Sequence, residues 1–200
     1  KVTAEFDGNF ENYYERMFIK NAKINLFFKD NNLLVNSDFV YDGSFIKLKI
    51  EKKNKCYLNI KSNNFSFEKL LKFWPVEIKT SARDWVKNNL VGKIDNLDLV
   101  LSSELDKIFN ITSISGSVNY SETMITYLYG MPRILDVSGK LDITNEKLLF
   151  ELENGFSRNM EIKSGSIEIY DLDKPIEKAK IFLDIDTDII DLKNYLAFSP

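Results

Sequence analysis

Acidic side chains are the first candidates for chemistry in this sequence, because two carboxylates at a fixed separation can hydrolyse a glycosidic bond. Asp136, Asp142, Asp184 and Asp186 are the candidates for such a pair. Most of them fall at outward or turn positions of predicted strands, where a solvated charge is the ordinary interpretation. We therefore predict no catalytic residue among them.

Other residue types that serve enzymes and metal sites are scarce. The 200 residues include no His and one Cys, Cys56, which can form no intrachain disulfide and is typical of a small buried hydrophobe. The acidic stretches DLDKP and DIDTD lack the Gly-centred spacing of a hard-cation loop. Trp74 and Trp85 could stack on a sugar, although a Trp beside a Pro at a helix junction usually belongs to a core. We expect no enzyme activity, no metal and no cofactor.

Composition and charge reduce the number of possible function classes further. Hydrophobic residues make up 44% of the chain, which is enough for a core, and the net charge is −3. The lysines are spread along predicted strands, so nothing attracts a phosphate backbone and we predict no nucleic-acid partner. The sequence has no signal peptide and no apolar run long enough to span a bilayer, and it begins and ends in mid-pattern. We interpret it as a segment of a longer protein.

The elements that must position any site are mainly strands, because apolar and polar residues alternate along most of the chain. In SFIKLKIEK, for example, Ile46, Leu48 and Ile50 share one face, whereas Lys47 and Lys49 point the other way. The alternation predicts about ten half-exposed strands. The turn signals KDNN, YDGS, KKNK and TNEK are too short for βαβ crossovers and indicate antiparallel hairpins. The inward residues that we expect to share one apolar face are Ile24, Leu26, Phe28, Ile46, Leu48, Ile50, Leu58, Ile60, Leu97, Leu99, Leu101, Leu141, Ile143, Ile167, Ile169, Ile181, Leu183 and Ile185.

Three short helices interrupt the strands. The first has Ser66 as its N-cap and Glu68 in its first turn, and Pro75 should stop it. The second is predicted over 81–90, starting at Thr80 or Ser81, with Gly92 available as its stop. Both are expected to plug an edge or end of the sheet.

The third helix, predicted over 188–197, places Ile189, Leu192 and Leu196 in line and exposes a possible internal repeat. Its sequence LKNYLAFSP matches FEKLLKFWP of the first helix in pattern, with each following a strand and ending in Pro. The match divides the chain into one repeat unit over 1–75 and a second over 76–200. Chance similarity among strand-rich segments is the alternative.

The fold class that these elements predict is mainly β, with a long, mostly antiparallel sheet and three short helices. Three helices are too few to cover one apolar face of so many strands, so the sheet must curl or find an apolar partner. A curled but unclosed sheet is a container for acyl chains. An ordinary sandwich or barrel, filled by its own side chains, is the alternative that periodicity alone favours.

Two stretches carry a distinctive order of motifs. The first, LLKFWPVEIKTSARDWVKNNLVGKIDNLDLVL, has Trp-Pro, Arg-x-Trp, Asn-Leu and Gly before alternating strands, and the second, ITYLYGMPRILDVSGKLDI, has Tyr, Gly-x-Pro and Asp-Val-x-Gly-x-Leu. Both stretches resemble the AsmA-like bacterial envelope proteins, specifically the YhdP branch. The resemblance covers about residues 70–200 and departs at Met131, where the family would have Trp. Arg83 could pair with a carboxylate or cover the end of the groove. The matching residues are Trp74, Pro75, Arg83, Trp85, Asn89, Leu90, Gly92, Tyr127, Gly130, Pro132, Asp136, Val137, Gly139 and Leu141.

The resemblance implies a periplasmic segment of a protein anchored in the inner membrane of a Gram-negative bacterium by a transmembrane helix outside this sequence. It implies that the sheet is a long, curved, open groove of repeated units rather than a closed sandwich or barrel. This β-groove would conduct phospholipid toward the outer membrane and support its barrier, without nucleophile, metal or cofactor. The alternating residues would then line that groove. The expected partners are phospholipid acyl chains, the inner membrane and other envelope proteins. A structural or interaction scaffold without lipid transport is the alternative, and an open, continuous apolar face would distinguish the two.

Overall fold

The computed structural model describes residues 2–11, 16–74, 80–105, 111–172, 174 and 178–198. Eleven strands and three helices occupy these ranges. The strands are β1 (Val2–Glu11), β2 (Arg16–Lys29), β3 (Asn32–Tyr41), β4 (Ser44–Lys52), β5 (Cys56–Ser66), β6 (Leu90–Ser103), β7 (Ile111–Ile125), β8 (Ile134–Ile143), β9 (Lys147–Ser157), β10 (Met160–Tyr170) and β11 (Lys178–Asp186). The helices are α1 (Phe67–Phe73), α2 (Thr80–Asn89) and α3 (Ile189–Leu196).

All eleven strands belong to one sheet whose spatial order follows the chain from β1 to β11. Every neighbouring pair with a defined register is antiparallel. The predicted fold class is confirmed in its main features, since the chain is mainly β with an open antiparallel sheet and three helices. The meander arises because the connecting turns are short: Asp30 and Asn31, then Asp42 and Gly43, all have positive φ, as two-residue hairpin turns require.

The first helix follows its sequence signals closely. The hydroxyl of Ser66 accepts a hydrogen bond from the backbone N–H of Lys69 at 3.1 Å, and Glu68 lies in the first turn. The helix ends at Phe73, and Pro75, predicted to stop it, lies outside the described residues.

The second helix begins as predicted, but its predicted stop at Gly92 is wrong. The helix ends at Asn89, whose side-chain amide donates to the carbonyl of Trp85 at 2.8 Å, and Leu90 already belongs to β6. Gly92 serves a different purpose, because a Cβ at this position would collide with Thr123 on β7. Glycine is therefore required by the close approach of two strands and not by a helix terminus.

The third helix lies where the sequence placed it, with the Asp188 carboxylate accepting from the Asp191 N–H at 2.7 Å as the N-cap. The predicted apolar stripe does not pack inward, however. Ile189 and Leu196 are 77% and 57% exposed, and the buried side chain is Tyr195. Its hydroxyl is hydrogen-bonded to that of Tyr127, so a polar contact fixes the orientation of this short helix.

The chain divides into two compact units. Unit 1 comprises 1–65 and 96–116, and unit 2 comprises 66–95 and 117–200, so that β6 and β7 contribute residues to both. The division of the sequence into repeats at 75/76 stays a prediction.

Unit 2 has a closed aromatic core beneath its helices. The Trp85 ring lies 5.6 Å from the Phe150 ring, and Tyr120 contacts both Phe150, at 6.1 Å, and Phe67, at 6.5 Å. Phe67 and Phe150 are at most 1% exposed. Helices α1 and α2 thus cover Tyr120 of β7 and Phe150 of β9 with large aromatic side chains.

Candidate functional site: an apolar sheet face

The candidate site in unit 1 is a set of apolar side chains in matched positions on neighbouring strands. Leu26 on β2 lies opposite Val35 on β3, Val35 lies opposite Ile50 on β4, and Ile50 lies opposite Leu58 on β5. Residues directly opposite in an antiparallel sheet share one face. The next row on that face consists of Ile24, Ser37, Leu48 and Ile60. We call these two rows, with Phe28 and Leu33 at their border, the apolar face of unit 1.

This face is accessible to a degree that core residues are not. Phe28 is 72% exposed and Leu26 is 38% exposed, and the remaining members of both rows are half-buried. Burial increases toward the other end of the strands, where Phe39 and Ile46 are 5% and 2% exposed. The face therefore combines an open apolar region with a packed end.

The opposite face of the same strands carries their charged side chains, together with the exposed rings of Phe27, Phe45 and Tyr57. Lys47, Lys49 and Lys61 project from it, and Lys61 is paired with Asp98 of β6 at 2.6 Å. Lys49 lies 3.4 Å from Glu51 on its own strand. These surface pairs contribute little stability, but they keep one side of the sheet in water and leave the other apolar.

The sequence-predicted residues of β6 lie on the apolar side but are buried. The Lys61–Asp98 pair places Asp98 on the charged face, so Leu97 and Leu99 point to the apolar face. Leu97 and Leu99 are each 3% exposed, and Leu101 is 8% exposed. In this structure they belong to the packed part of the face.

In unit 2 the predicted residues fall into two groups. Leu141, Ile143, Ile167 and Ile169 are at most 3% exposed. The strand register places Leu141 and Ile167 on either side of Phe150, and Ile143 and Ile169 on either side of Leu148. The residues of β11 are half-buried and occupy the same face, with Ile181 opposite Ile167. The half-buried members of this second group are Ile181, Leu183 and Ile185.

The acidic residues considered from the sequence form no metal-binding group in the part of the chain that the structure describes. No group of three or more His, Cys, Asp or Glu side chains there could hold a metal ion. Asp142 pairs with Lys140 at 2.9 Å, and Asp136 occupies a bulge with φ of 53°. Within the described ranges, no helix is both long enough and apolar enough to cross a membrane.

Comparison with known families now identifies the chain. The profile described as YhdP protein matches residues 19–200. The chain belongs to the YhdP family. This is a family of AsmA-like bacterial envelope proteins. No curated protein and no solved structure matches this YhdP-family chain significantly.

The signature residues of this YhdP chain fix its helices to its sheet. The Arg83 guanidinium donates to the backbone carbonyls of Trp74, at 3.1 Å, and Leu71, at 3.3 Å, at the C-terminus of α1. These hydrogen bonds serve neither of the two roles that the sequence suggested for Arg83, which were pairing with a carboxylate and covering the end of the groove. Trp74 and Trp85 are buried at 6% and 9% exposure, as core residues. The Arg-x-Trp signature thus joins the two helices and anchors the second on the sheet.

The two glycines of the second signature are required for different reasons. A Cβ at Gly139 would collide with the carbonyl oxygen of Glu151, to which the Tyr120 hydroxyl donates at 3.0 Å. Gly130 has φ of 86°, a conformation that glycine adopts without strain, and Pro132 nearby is half-buried. Backbone geometry therefore accounts for glycine at both positions.

Sequence reasoning missed two features, one in each unit. Tyr195 forms a buried phenol pair with Tyr127, and no local periodicity distinguishes it from its helix neighbours. Burial, together with the hydrogen bond between them, raises the pKa of Tyr127, and burial raises that of Tyr195. The second feature is Lys52, which shares the alternation of Ile46, Leu48 and Ile50 and therefore lies on the apolar side of β4.

Proposed function

We propose that this chain is a periplasmic segment of an inner-membrane-anchored envelope protein whose apolar sheet face carries phospholipid acyl chains toward the outer membrane. The observation that carries the proposal is the accessible apolar face of unit 1, which has a charged face directly behind it. Membership of an envelope family supports the location.

The physical need for such a face is large. A phospholipid that leaves a bilayer exposes two acyl chains of about 16 carbons each, at about 0.8 kcal/mol per methylene, so crossing water costs on the order of 20 kcal/mol. A continuous apolar surface removes most of that barrier without a nucleophile, metal or cofactor. The rows of Leu26 to Leu58 and Ile24 to Ile60 supply aliphatic side chains across four adjacent strands.

The lining that we propose is smaller than the set inferred from alternation. It consists of the accessible residues of unit 1, with the half-buried residues of β11 in unit 2 as a second candidate segment. Side chains packed around Phe150 have no free surface for a ligand in this conformation. They support the sheet that presents the lining.

Site-specific photo-crosslinking in the full-length protein tests the proposal. A photoreactive residue at Leu48, on the apolar face, should capture phospholipid in a Gram-negative host, and mass spectrometry of the adduct should identify the lipid. The matched control is Lys49, the next residue on the opposite face, which should capture none. Equal labelling at both positions, or none at Leu48, would contradict lipid conduction through unit 1.

A scaffold role without lipid transport is the second candidate, and the core of unit 2 favours it for that unit. Trp85, Phe67 and Tyr120 fill the space above Phe150 with protein side chains. If only protein cross-links form at Leu48, the scaffold role would hold for unit 1 as well.

A further inference from the structure

A lysine interrupts the otherwise uncharged face of unit 1. On β2 to β5, the described positions of this face carry aliphatic, aromatic, Ser and Cys side chains, except at Lys52. Lys52 lies opposite Leu33 on β3 and opposite Cys56 on β5. Its register position is therefore among apolar neighbours, at the end of β4 where the strand meets a turn.

The surroundings of Lys52 differ from those of the lysines nearest to it in this hairpin. Lys49 and Lys53 both pair with Glu51, at 3.4 and 2.6 Å, and Lys55 pairs with Glu104 at 3.1 Å. Lys52 pairs with no carboxylate among the described residues. It is also half-buried, as a lysine is when its aliphatic stem covers apolar surface and its ammonium group stays in contact with water.

We propose that Lys52 binds the phosphate of a phospholipid headgroup, with the acyl chains directed along β4 toward Leu48. This inference rests on the lipid-binding function proposed above and adds the orientation of the lipid. An ammonium group beside an apolar surface matches a molecule that carries an anionic phosphate next to its acyl chains. The lysine would supply charge complementarity that the aliphatic rows lack.

The length of the accessible region fits this orientation. Four residues separate Lys52 from Leu48, a distance of about 13 Å along a strand. One leaflet of a bilayer has a hydrocarbon thickness of about 15 Å, half of the core. Ile46, two positions beyond Leu48, is 2% exposed, so an acyl chain that starts at Lys52 meets the packed end between about 13 and about 20 Å along the strand, a range that includes one leaflet thickness.

Calorimetric titration of the full chain with two short-chain lipids tests the proposal. One is dihexanoylphosphatidylglycerol, and the other is dihexanoylglycerol, which has the same acyl chains and no phosphate. We expect the unmodified chain to bind the phospholipid more tightly. Lys52→Met keeps much of the stem but removes the charge, and it should weaken phospholipid binding by about tenfold, as loss of one charge-assisted hydrogen bond would. Binding of dihexanoylglycerol should stay unchanged.

Two variants control for other effects. Lys49→Met removes a lysine from the opposite face of the same strand and should change neither affinity. Lys52→Arg keeps the positive charge and should restore most of the preference for phospholipid. Circular dichroism of each variant checks that the sheet is intact, so a loss of both affinities in a folded Lys52→Met chain would assign Lys52 a packing role and overturn the proposal.

The remaining outcomes separate this inference from the function on which it rests. Equal affinity of the unmodified chain for both lipids would overturn the role of Lys52 and leave acyl-chain binding in place. If neither lipid binds, both proposals fail for unit 1. If inorganic phosphate alone binds to the unmodified chain but not to Lys52→Met, the site takes free phosphate and the headgroup assignment is wrong.

Discussion

Trp85 illustrates how one side chain joins a helix to the sheet in unit 2. Its ring lies beside Phe150 at the centre of a core whose members are almost fully buried. Aromatic side chains in such positions contribute both apolar burial and ring contacts. The Trp of the family signature is therefore a structural anchor.

Truncation of this anchor should destabilise unit 2 strongly. We expect Trp85→Ala to lower the free energy of unfolding by about 3–5 kcal/mol, because it leaves a cavity under α2. Chemical denaturation measures the change. Phe182→Ala, at a ring that is 66% exposed, is the control and should change the free energy by at most about 0.5 kcal/mol. An unchanged midpoint for Trp85→Ala would place the ring outside the core.

The buried tyrosines predict how stability depends on pH. Burial, reinforced by the charges of Glu153 and Glu151, raises the pKa of Tyr120, and burial also raises the pKa of Tyr127. The unfolded chain therefore loses these protons first, near the ordinary phenol pKa of about 10. Stability from these groups is fully present below that pH and is lost as the pH rises above it.

Denaturation at several alkaline pH values should show this loss. We expect the free energy of unfolding to fall above a pH of about 10, and to fall less steeply in Tyr120→Phe, which cannot ionise at this position. Tyr129→Phe, at a side chain that is 98% exposed, is the matched control. The same slope in Tyr120→Phe and in the unmodified chain would contradict the assignment.

Helices α1 and α2 are short, and their stability depends on specific contacts at their ends. The last carbonyls of a helix lack partners within it, and Arg83 of α2 supplies donors to two carbonyls at the end of α1. An isolated helix of seven residues would not form in water. Packing and the Arg83 hydrogen bonds thus compensate for its length.

Removing these donors should loosen α1 before it affects the strands. We expect Arg83→Ala to cost about 1–3 kcal/mol, the effect of hydrogen bonds from a charged donor. Amide hydrogen exchange, compared with the unmodified chain, should show that Arg83→Ala lowers protection in 67–73 more than in β9. Lys87→Ala, at an exposed position in the last turn of α2, should leave the free energy of unfolding and the amide protection of 67–73 unchanged. Equal exchange in the two variants would show that Arg83 does not hold α1.

The proposed role in lipid conduction concerns the apolar face as a continuous surface. A single carboxylate placed there would need its hydration shell, and it would interrupt the aliphatic rows. Leu99, at 3% exposure, is a poor test position, because an acidic residue there would disturb folding as well as transport. Leu58 lies on the same face and is half-buried, so the folded state can tolerate the change more easily.

Leu58→Asp in the full-length protein should therefore impair the outer-membrane barrier while the protein stays folded. Sensitivity of the host to detergent measures the barrier, and the protein level on a blot measures folding. Asn59→Asp is the control, because it adds the same charge on the opposite face, across from Lys49. Asn59→Asp should leave the detergent sensitivity of the host unchanged. Equal defects in both variants, at equal protein levels, would argue against conduction along this face.

Local signals in the sequence determined most of the secondary structure. The cap at Ser66, the positive-φ turn at Asp42 and Gly43, and the alternation around Leu48 each depend on residues within a few positions. Antiparallel order followed because the turns are too short for crossovers. Cys56 is buried, as its place in an alternating strand indicated.

Only the tertiary structure decided which apolar residues are covered. Alternation assigns Leu48 and Ile167 to the same class, yet Leu48 is half-buried and Ile167 is completely buried. The difference depends on helix side chains from distant positions in the chain, such as Trp85 above Phe150. Gly92 likewise looked like a helix stop, although contact with a neighbouring strand requires it. Periodicity records which way a side chain points, but its exposure depends on what the rest of the chain places above it.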